Sequence, residues 1–223
     1  MGSKRSEGEP VRWLALLRAV NVGGTGVVRM VDLRASLESL GLGDVSTHIQ
    51  SGNVFFTSSE REPGSLARTI EHHLERDLGI KTTALLLKLP DLERAAAANP
   101  FASAADEDIL CHMMFLDRAP DAAHRQRLMT MQGDDYRLHV QGAVLYFAYA
   151  RNLAGRRRAI DFERVLGVRG TARSCKVVDA LIALLRDAGA SAPATRPPVR
   201  DGPARGREAA SARGSPSAAR RRR

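Results

Sequence analysis

Residues 11–20 read VRWLALLRAV, an apolar run of strand length with arginine near both ends, and residues 21–26, NVGGTG, stop it with turn formers. This predicts a buried strand running into a tight loop. Downstream, Met30, Leu33, Leu37 and Leu40 recur at helical spacing, and Gly41 stands where a helix end favours positive φ. Residues 47–50 and 54–57 read as short strands around Ser51-Gly52-Asn53, whose residue types suit a hairpin turn. Leu66, Ile70, Leu74 and Leu78 mark a second helix closed by Gly79, and residues 82–87, TTALLL, form a fourth strand. The order β-α-β-β-α-β predicts an antiparallel four-stranded sheet with both helices on one face, the ferredoxin-like plait.

The second half follows a similar grammar. A helix over 90–98 is closed by Asn99-Pro100-Phe101, residues 109–116 (ILCHMMFL) form a strand, and 122–131 a helix. Residues 135–140 and 143–149 pair across Gln141-Gly142, and helices cover 160–166 and 176–188. This repeats β-α-β-β-α with no evident last strand. The expected fold class is α+β, with two ferredoxin-like (α/β-plait) subdomains over 12–98 and 99–188, after a flexible N-terminus over 1–11.

Composition changes after Ala188. Residues 189–223 hold nine Arg, nine Ala, five Pro, four Gly and four Ser, with Val199 the one large aliphatic residue. Such a segment buries too little apolar surface to offset its ordering entropy, so it reads as a disordered tail. Its nine Arg against Asp201 and Glu208 give +7 of the chain's net +9, leaving +2 for residues 1–188. The tail is thus the only place where a nucleic-acid contact is considered, by way of Arg220–Arg223 and counterion release. A solvated Arg/Ala-rich tail accounts for the same residues. No apolar run reaches the roughly 18 residues of a membrane helix, so no membrane partner is expected. Residues 1–10 lack the apolar core of a secretory signal. Cys111 and Cys175 make neither a disulfide framework nor a zinc ligand set, and the expected location is a reducing cytoplasm.

Three clusters carry a resemblance. Residues 15–24 (ALLRAVNVGG) lead to Val28, Met30 and Asp32-Leu33-Arg34; residues 45–56 read VSTHIQSGNVFF; and Asn99-Pro100-Phe101 is followed by residues 166–173, LGVRGTAR. Together they resemble the bacterial DUF1697 family, a domain of unknown function, over roughly residues 12–188. The resemblance implies two α/β-plait-like subdomains and no established activity. Ala19 stands where the family usually has Gly, and His48 where it has Tyr. Ser174-Cys175-Lys176-Val177 replaces an Asn-Trp-Asn-Thr.

The candidate ligand site is Arg18, Asn21, Gly23 and Gly24, with Arg173. A Gly-rich loop between a strand and a helix presents backbone amides to an anion, and Arg18 adds a charge-assisted contact. The loop lacks the Lys-Ser/Thr of a P-loop and the G-x-G-x-x-G spacing of a dinucleotide fold. A loop needing positive φ is the competing reading. Arg173, just before the last helix, suits a bound carboxylate or phosphate, or else pairs with an acidic neighbour. Ser51-Gly52-Asn53 is explained as a hairpin and is placed away from the end of the first strand, so the two are not joined in one site. Arg156-Arg157-Arg158 reads as a solvated helix start, and Asp106, Glu107, Asp108, Asp134 and Asp135 as solvated turns or caps.

No catalytic set emerges. His72 and His73 diverge on a helix, Cys111 and His112 point to opposite faces of a strand, and Cys175 is read as packing. Phe55 and Phe56 are adjacent, so only one faces the open side of a sheet for base stacking. No cofactor or metal is expected. The readings carried forward are a small anionic ligand at the Gly-rich loop, nucleic acid at the tail, and an enzyme of unassigned reaction.

Overall fold

β1 (Val11–Leu17) divides its side chains between two cores, and this division sets the layers. Trp13, Ala15 and Leu17 pack with Leu33, Leu37, Ile70 and Leu74, whereas Leu14 and Leu16 pack with Leu92, Met113 and Val178. A strand with both faces buried reads as the unbroken apolar run seen here. The computed structural model describes residues 9–21, 28–50, 52–102, 108–133, 136–153 and 160–190.

The element order continues with α1 (Met30–Ser39), β2 (Gly43–His48), β3 (Asn53–Ser58), α2 (Pro63–Leu78), β4 (Ala84–Leu87) and α3 (Leu89–Ala97). Then come β5 (Ile109–Leu116), α4 (Ala122–Met129), β6 (Arg137–Gln141), β7 (Val144–Ala150), α5 (Phe162–Leu166), β8 (Gly170–Ser174) and α6 (Cys175–Ala190). Two four-stranded antiparallel sheets result, ordered β2-β3-β1-β4 and β6-β7-β5-β8. α1 and α2 cover one face of the first sheet, and Leu128 of α4 with Leu166 of α5 cover one face of the second. The remaining faces share a central core with α3 and α6, built from Leu14, Leu16, Phe55, Cys111, Met113 and Tyr146. Both sheets lie within one compact unit, Met1–Ala190.

Local chemistry fixes the helix ends. The Glu62 carboxylate accepts from the Ser65 N–H at 2.6 Å, Pro63 begins α2, and Gly79 ends it at φ 68°. Asp121 and Asp161 cap α4 and α5 in the same manner.

Two sequence expectations are corrected here. The second half does possess a last strand, β8, pairing with β5 from His112↔Ser174 to Leu116↔Gly170. Its buried positions are Gly170, Thr171 and Arg173, while Ala172 is exposed, so polarity is inverted and hydrophobic alternation gives no signal. The end of β1 and the start of β3 are neighbours, not remote: Leu16 pairs with Asn53, and the Leu17 N–H donates to the Gly52 carbonyl at 2.8 Å. An antiparallel pair must bring those two ends together.

The turn is tight at that junction. Gly52 has φ +69°, and a Cβ there would lie 2.9 Å from the Leu17 carbonyl oxygen and 3.0 Å from Leu17 Cβ. Gly52→Ala is expected to lose about 2 kcal/mol in urea denaturation, from the left-handed backbone and the clash. A loss below about 0.5 kcal/mol would show that the turn relaxes. Ala19, exposed at φ 57°, occupies the conformation that glycine adopts freely. Ala19→Gly is expected to raise the melting temperature, with a gain of up to about 1 kcal/mol. An unchanged or lower melting temperature counts against strain at Ala19.

Candidate functional site

Four elements meet where β1 ends. Arg173 of β8 is 7% exposed, and its guanidinium donates across the junction between the sheets. Nε reaches Asn53 Oδ1 at 2.6 Å, Nη1 reaches Thr171 Oγ1 and the Ala172 carbonyl at 2.8 Å, and Nη2 reaches the Leu17 and Gly52 carbonyls at 3.3 and 3.4 Å. Among the described residues these partners are neutral oxygens, and Arg173 reaches them from the end of β8, two residues before α6 begins. Burial lowers its pKa to about 10, which leaves it cationic at neutral pH.

Arg18, one residue past β1, forms a two-pronged pair with Glu163 of α5, at 2.7 Å from Nε to Oε1 and 2.6 Å from Nη2 to Oε2. Hydrogen bonding to Arg18 is the main reason the Glu163 carboxyl titrates below its ordinary range; the Gly170 N–H, donating to Oε1 at 2.8 Å, adds to it. Asn21 has φ 58° and joins residues 21 and 28: its Nδ2 donates to the Val28 carbonyl at 2.9 Å and its Oδ1 accepts from the Val28 N–H at 2.8 Å. Nδ2 also reaches the Gln50 carbonyl at 3.2 Å. Gly23 and Gly24 lie outside the described residues, as do Ser51, Asp106, Glu107, Asp134, Asp135, Arg156–Arg158 and the tail beyond Ala190.

Arg18 and Arg173 line one cleft of about 570 Å³, together with His112, Glu163, Thr171 and Ser174. Of the sequence candidates the structure brings these two together; Asn21 is not on that cleft. His112 lies against Phe147 and Tyr149, with ring centroids 5.0 and 5.6 Å apart and nearly parallel planes. Burial pushes its pKa below the ordinary 6.5. Between that lowered value and about 6.5 the unfolded chain binds the proton and the folded protein does not. Stability therefore rises with pH across this window and is lost on acidification. His112→Phe is expected to flatten the melting-temperature profile there; an unchanged slope would assign the dependence to other groups.

A larger cleft, of about 820 Å³, opens along β4. Leu85, Leu87, Ala95, Phe115, Val144 and Tyr146 give it an apolar floor. Its rim carries Arg68, Arg94 and Arg169 with Glu71, Asp91 and Asp117. Arg94 is paired with Asp91, Arg169 reaches Asp117 at 3.4 Å, and Arg68 makes no ion pair among the described residues. Asp117 Oδ1 is buried with no hydrogen-bond partner among the described residues. Sequence reasoning missed this site because its rim residues are scattered over α2, α3 and the ends of β5 and β8. The one local signal was TTALLL, an apolar run on what proves to be an edge strand.

The cysteine reading is also corrected: Cys111 of β5 and Cys175 of α6 are joined as a disulfide, both buried. Asn99 Nδ2 donates to the two sulfurs at 3.3 and 3.4 Å. Cys111 lies in the central core and His112 lines a cleft, so the two do point apart. Phe55 and Phe56 are 4% and 0% exposed, one in each core of the first sheet, so neither presents a ring for base stacking. Among the described residues no three His, Cys, Asp or Glu side chains are grouped to hold a metal ion, and no helix is long and apolar enough to cross a membrane.

Fold and clefts define a mixed α+β protein with two four-stranded antiparallel sheets around a shared core. The model of the family "Protein of unknown function (DUF1697)" matches residues 11–146, and the chain belongs to that family. Among solved structures it is similar to the conserved bacterial protein SP0830 from Streptococcus pneumoniae, with 24% identity and a TM-score of 0.60. That match covers 79% of this chain and 99% of the other, and it supports the fold. No curated protein matches the chain.

Proposed function

We propose that this is a ligand-binding protein whose ligand is a small organic acid with an apolar body, held in the 820 Å³ cleft along β4. The carrying observation is one cleft lined both by apolar Leu85, Leu87 and Phe115 and by Arg68, a cation with no ion pair among the described residues. Concave, mostly apolar sites with a few polar groups are where small molecules bind. The two sheets support a reading as ferredoxin-like subdomains over 12–98 and 99–188, because each follows the β-α-β-β-α-β order with its first strand central.

A second reading keeps the anion at the Arg18 and Arg173 cleft, favoured by the two cations sharing one wall. There an anion must displace Glu163 from Arg18 or share Arg173 with the oxygens it already serves. A thermal-shift panel of aliphatic and aromatic carboxylic acids and phosphorylated metabolites separates the two. Protection by a carboxylic acid that weakens at least tenfold in Arg68→Ala is expected. Protection that instead depends on Arg18 moves the site to the smaller cleft. No protection by any member removes both.

A further inference from the structure

The free edge of β4 runs along the large cleft, and its main chain indicates what kind of molecule lies there. β4 ends its sheet, pairing only with β1. The Arg18 N–H donates to the Thr83 carbonyl at 2.9 Å, and the register pairs Leu16 with Leu85 and Leu14 with Leu87. In an antiparallel ladder hydrogen-bonded pairs alternate with non-bonded ones, so Ala84 and Leu86 turn their N–H and C=O groups away from β1. The Ala84 N–H confirms the phase, since it donates outward to Glu71 Oε1 at 2.8 Å. The Lys88 N–H donates to Asp91 Oδ2 at 2.8 Å.

Both ends of the outward edge are therefore capped by carboxylates. Between them the Leu86 N–H and C=O and the Ala84 C=O have no partner among the described residues. Unpaired edges template strand addition, and natural proteins commonly blunt or cover them. Here the open stretch is walled by the cleft, whose lining includes every residue from Thr83 to Leu87. Arg68 and Arg169 stand on the same cleft.

We infer that the cleft takes a short extended peptide bearing a carboxylate, which adds to the first sheet as a strand beside β4. Its main chain pairs with Leu86, and its carboxylate meets Arg68 and Arg169. A four-residue edge at about 3.3 Å per residue matches a segment of about four residues. Main-chain pairing supplies affinity, and the cations and apolar floor supply selectivity. This inference rests on the large cleft being the ligand site.

The test uses the full chain, ¹⁵N-labelled, titrated with Ac-Thr-Val-Thr-Val-OH, with the amidated Ac-Thr-Val-Asp-Val-NH₂, and with versions N-methylated at the second residue. The unmethylated peptides are expected to shift the Leu86 amide resonance saturably and slow its hydrogen exchange at least tenfold, while methylation weakens binding at least tenfold. The two unmethylated peptides tell a terminal carboxylate from a side-chain one. Leu86→Pro deletes the outward N–H at an edge position that tolerates proline, and it is expected to weaken binding tenfold or more. Should that variant fold poorly, the N-methylated peptides carry the same comparison on the unaltered protein. Peptides that leave Leu86 unmoved, or that bind as tightly when methylated, overturn the inference. If the carboxylic acids of the thermal-shift panel still bind in an Arg68-dependent manner, the cleft reading survives that failure. If they do not, both fall.

Discussion

Replacing Arg173 with leucine is expected to lower folding stability by about 3 kcal/mol in urea denaturation. The competing effect is real: burial pulls this guanidinium down to about 10, so its charge is held at a desolvation cost that an apolar side chain avoids. What decides the sign is the set of acceptors left behind. The carbonyls of Leu17 and Ala172 and Asn53 Oδ1 each lose an Arg173 N–H around a side chain that is 7% exposed, where an acceptor without a donor costs about 1–3 kcal/mol, while the Gly52 carbonyl keeps the Leu17 N–H. Removing one partner of such an arrangement is worse than never having built it. Arg173→Lys keeps the charge but not the planar fork, so it is expected to recover less than half of the loss. Because Arg173 ties β8 to β1 and to the turn before β3, the leucine variant is also expected to unfold over a broader transition with a lower m-value. Stability within about 0.5 kcal/mol of the parent would mean that packing alone holds the sheets together.

The same residue shows why part of the molecule was legible in sequence and part was not. ILCHMMFL predicts β5 over Ile109–Leu116, its observed span, because all but His112 is apolar and both faces are buried. α2 and its Gly79 terminator announced themselves through helical spacing and a left-handed cap. β8 gives no hydrophobic signal because its inward positions are Gly170, Thr171 and Arg173, and the burial of Arg173 is made tolerable by Asn53, Leu17 and Gly52, more than 100 positions away. Ser51-Gly52-Asn53 was explained by hairpin chemistry, which left nothing to suggest that Asn53 Oδ1 receives Arg173. Arg18 and Arg173 were chosen as anion ligands for their positions at element ends, and they do share a cleft. Their hydrogen bonds to Glu163 and to main-chain oxygens are tertiary facts with no local signature. The β4 edge had a sequence signal, TTALLL, but strand order is what makes it an edge. Periodicity reports which faces are buried, and it is silent about which edges are free.

Reducing the Cys111–Cys175 bond is expected to cost up to about 4 kcal/mol, the chain-entropy value for a separation of 64 residues. The closed loop runs from β5 to the start of α6 and so contains α4, β6, β7, α5 and β8. Its closure restrains the unfolded form of that half of the chain, and the effect on the first sheet's own elements is indirect. Both sulfurs are buried, and Asn99 Nδ2 donates to both. The reduced protein is expected to remain folded and to reoxidise with a thiol–disulfide buffer, since both cysteines are packed in the central core. Thiol counting in denaturant without reductant comes first, and zero free thiols are expected. Urea denaturation with and without a phosphine reductant then gives the stability difference, and Cys175→Ser must abolish the effect of reductant. Two free thiols in the purified protein would remove the bond from consideration. A bond that is present but whose reduction leaves the midpoint unmoved would mean that the unfolded chain is already compact over this loop. In a reducing compartment, the location that the cysteine count first suggested, the pair stands as two thiols beside Asn99. The second half then lacks that cross-link and leans more on the Arg173 bridge, so Arg173→Leu should destabilise the reduced protein to a larger fraction of its remaining stability than the oxidised one.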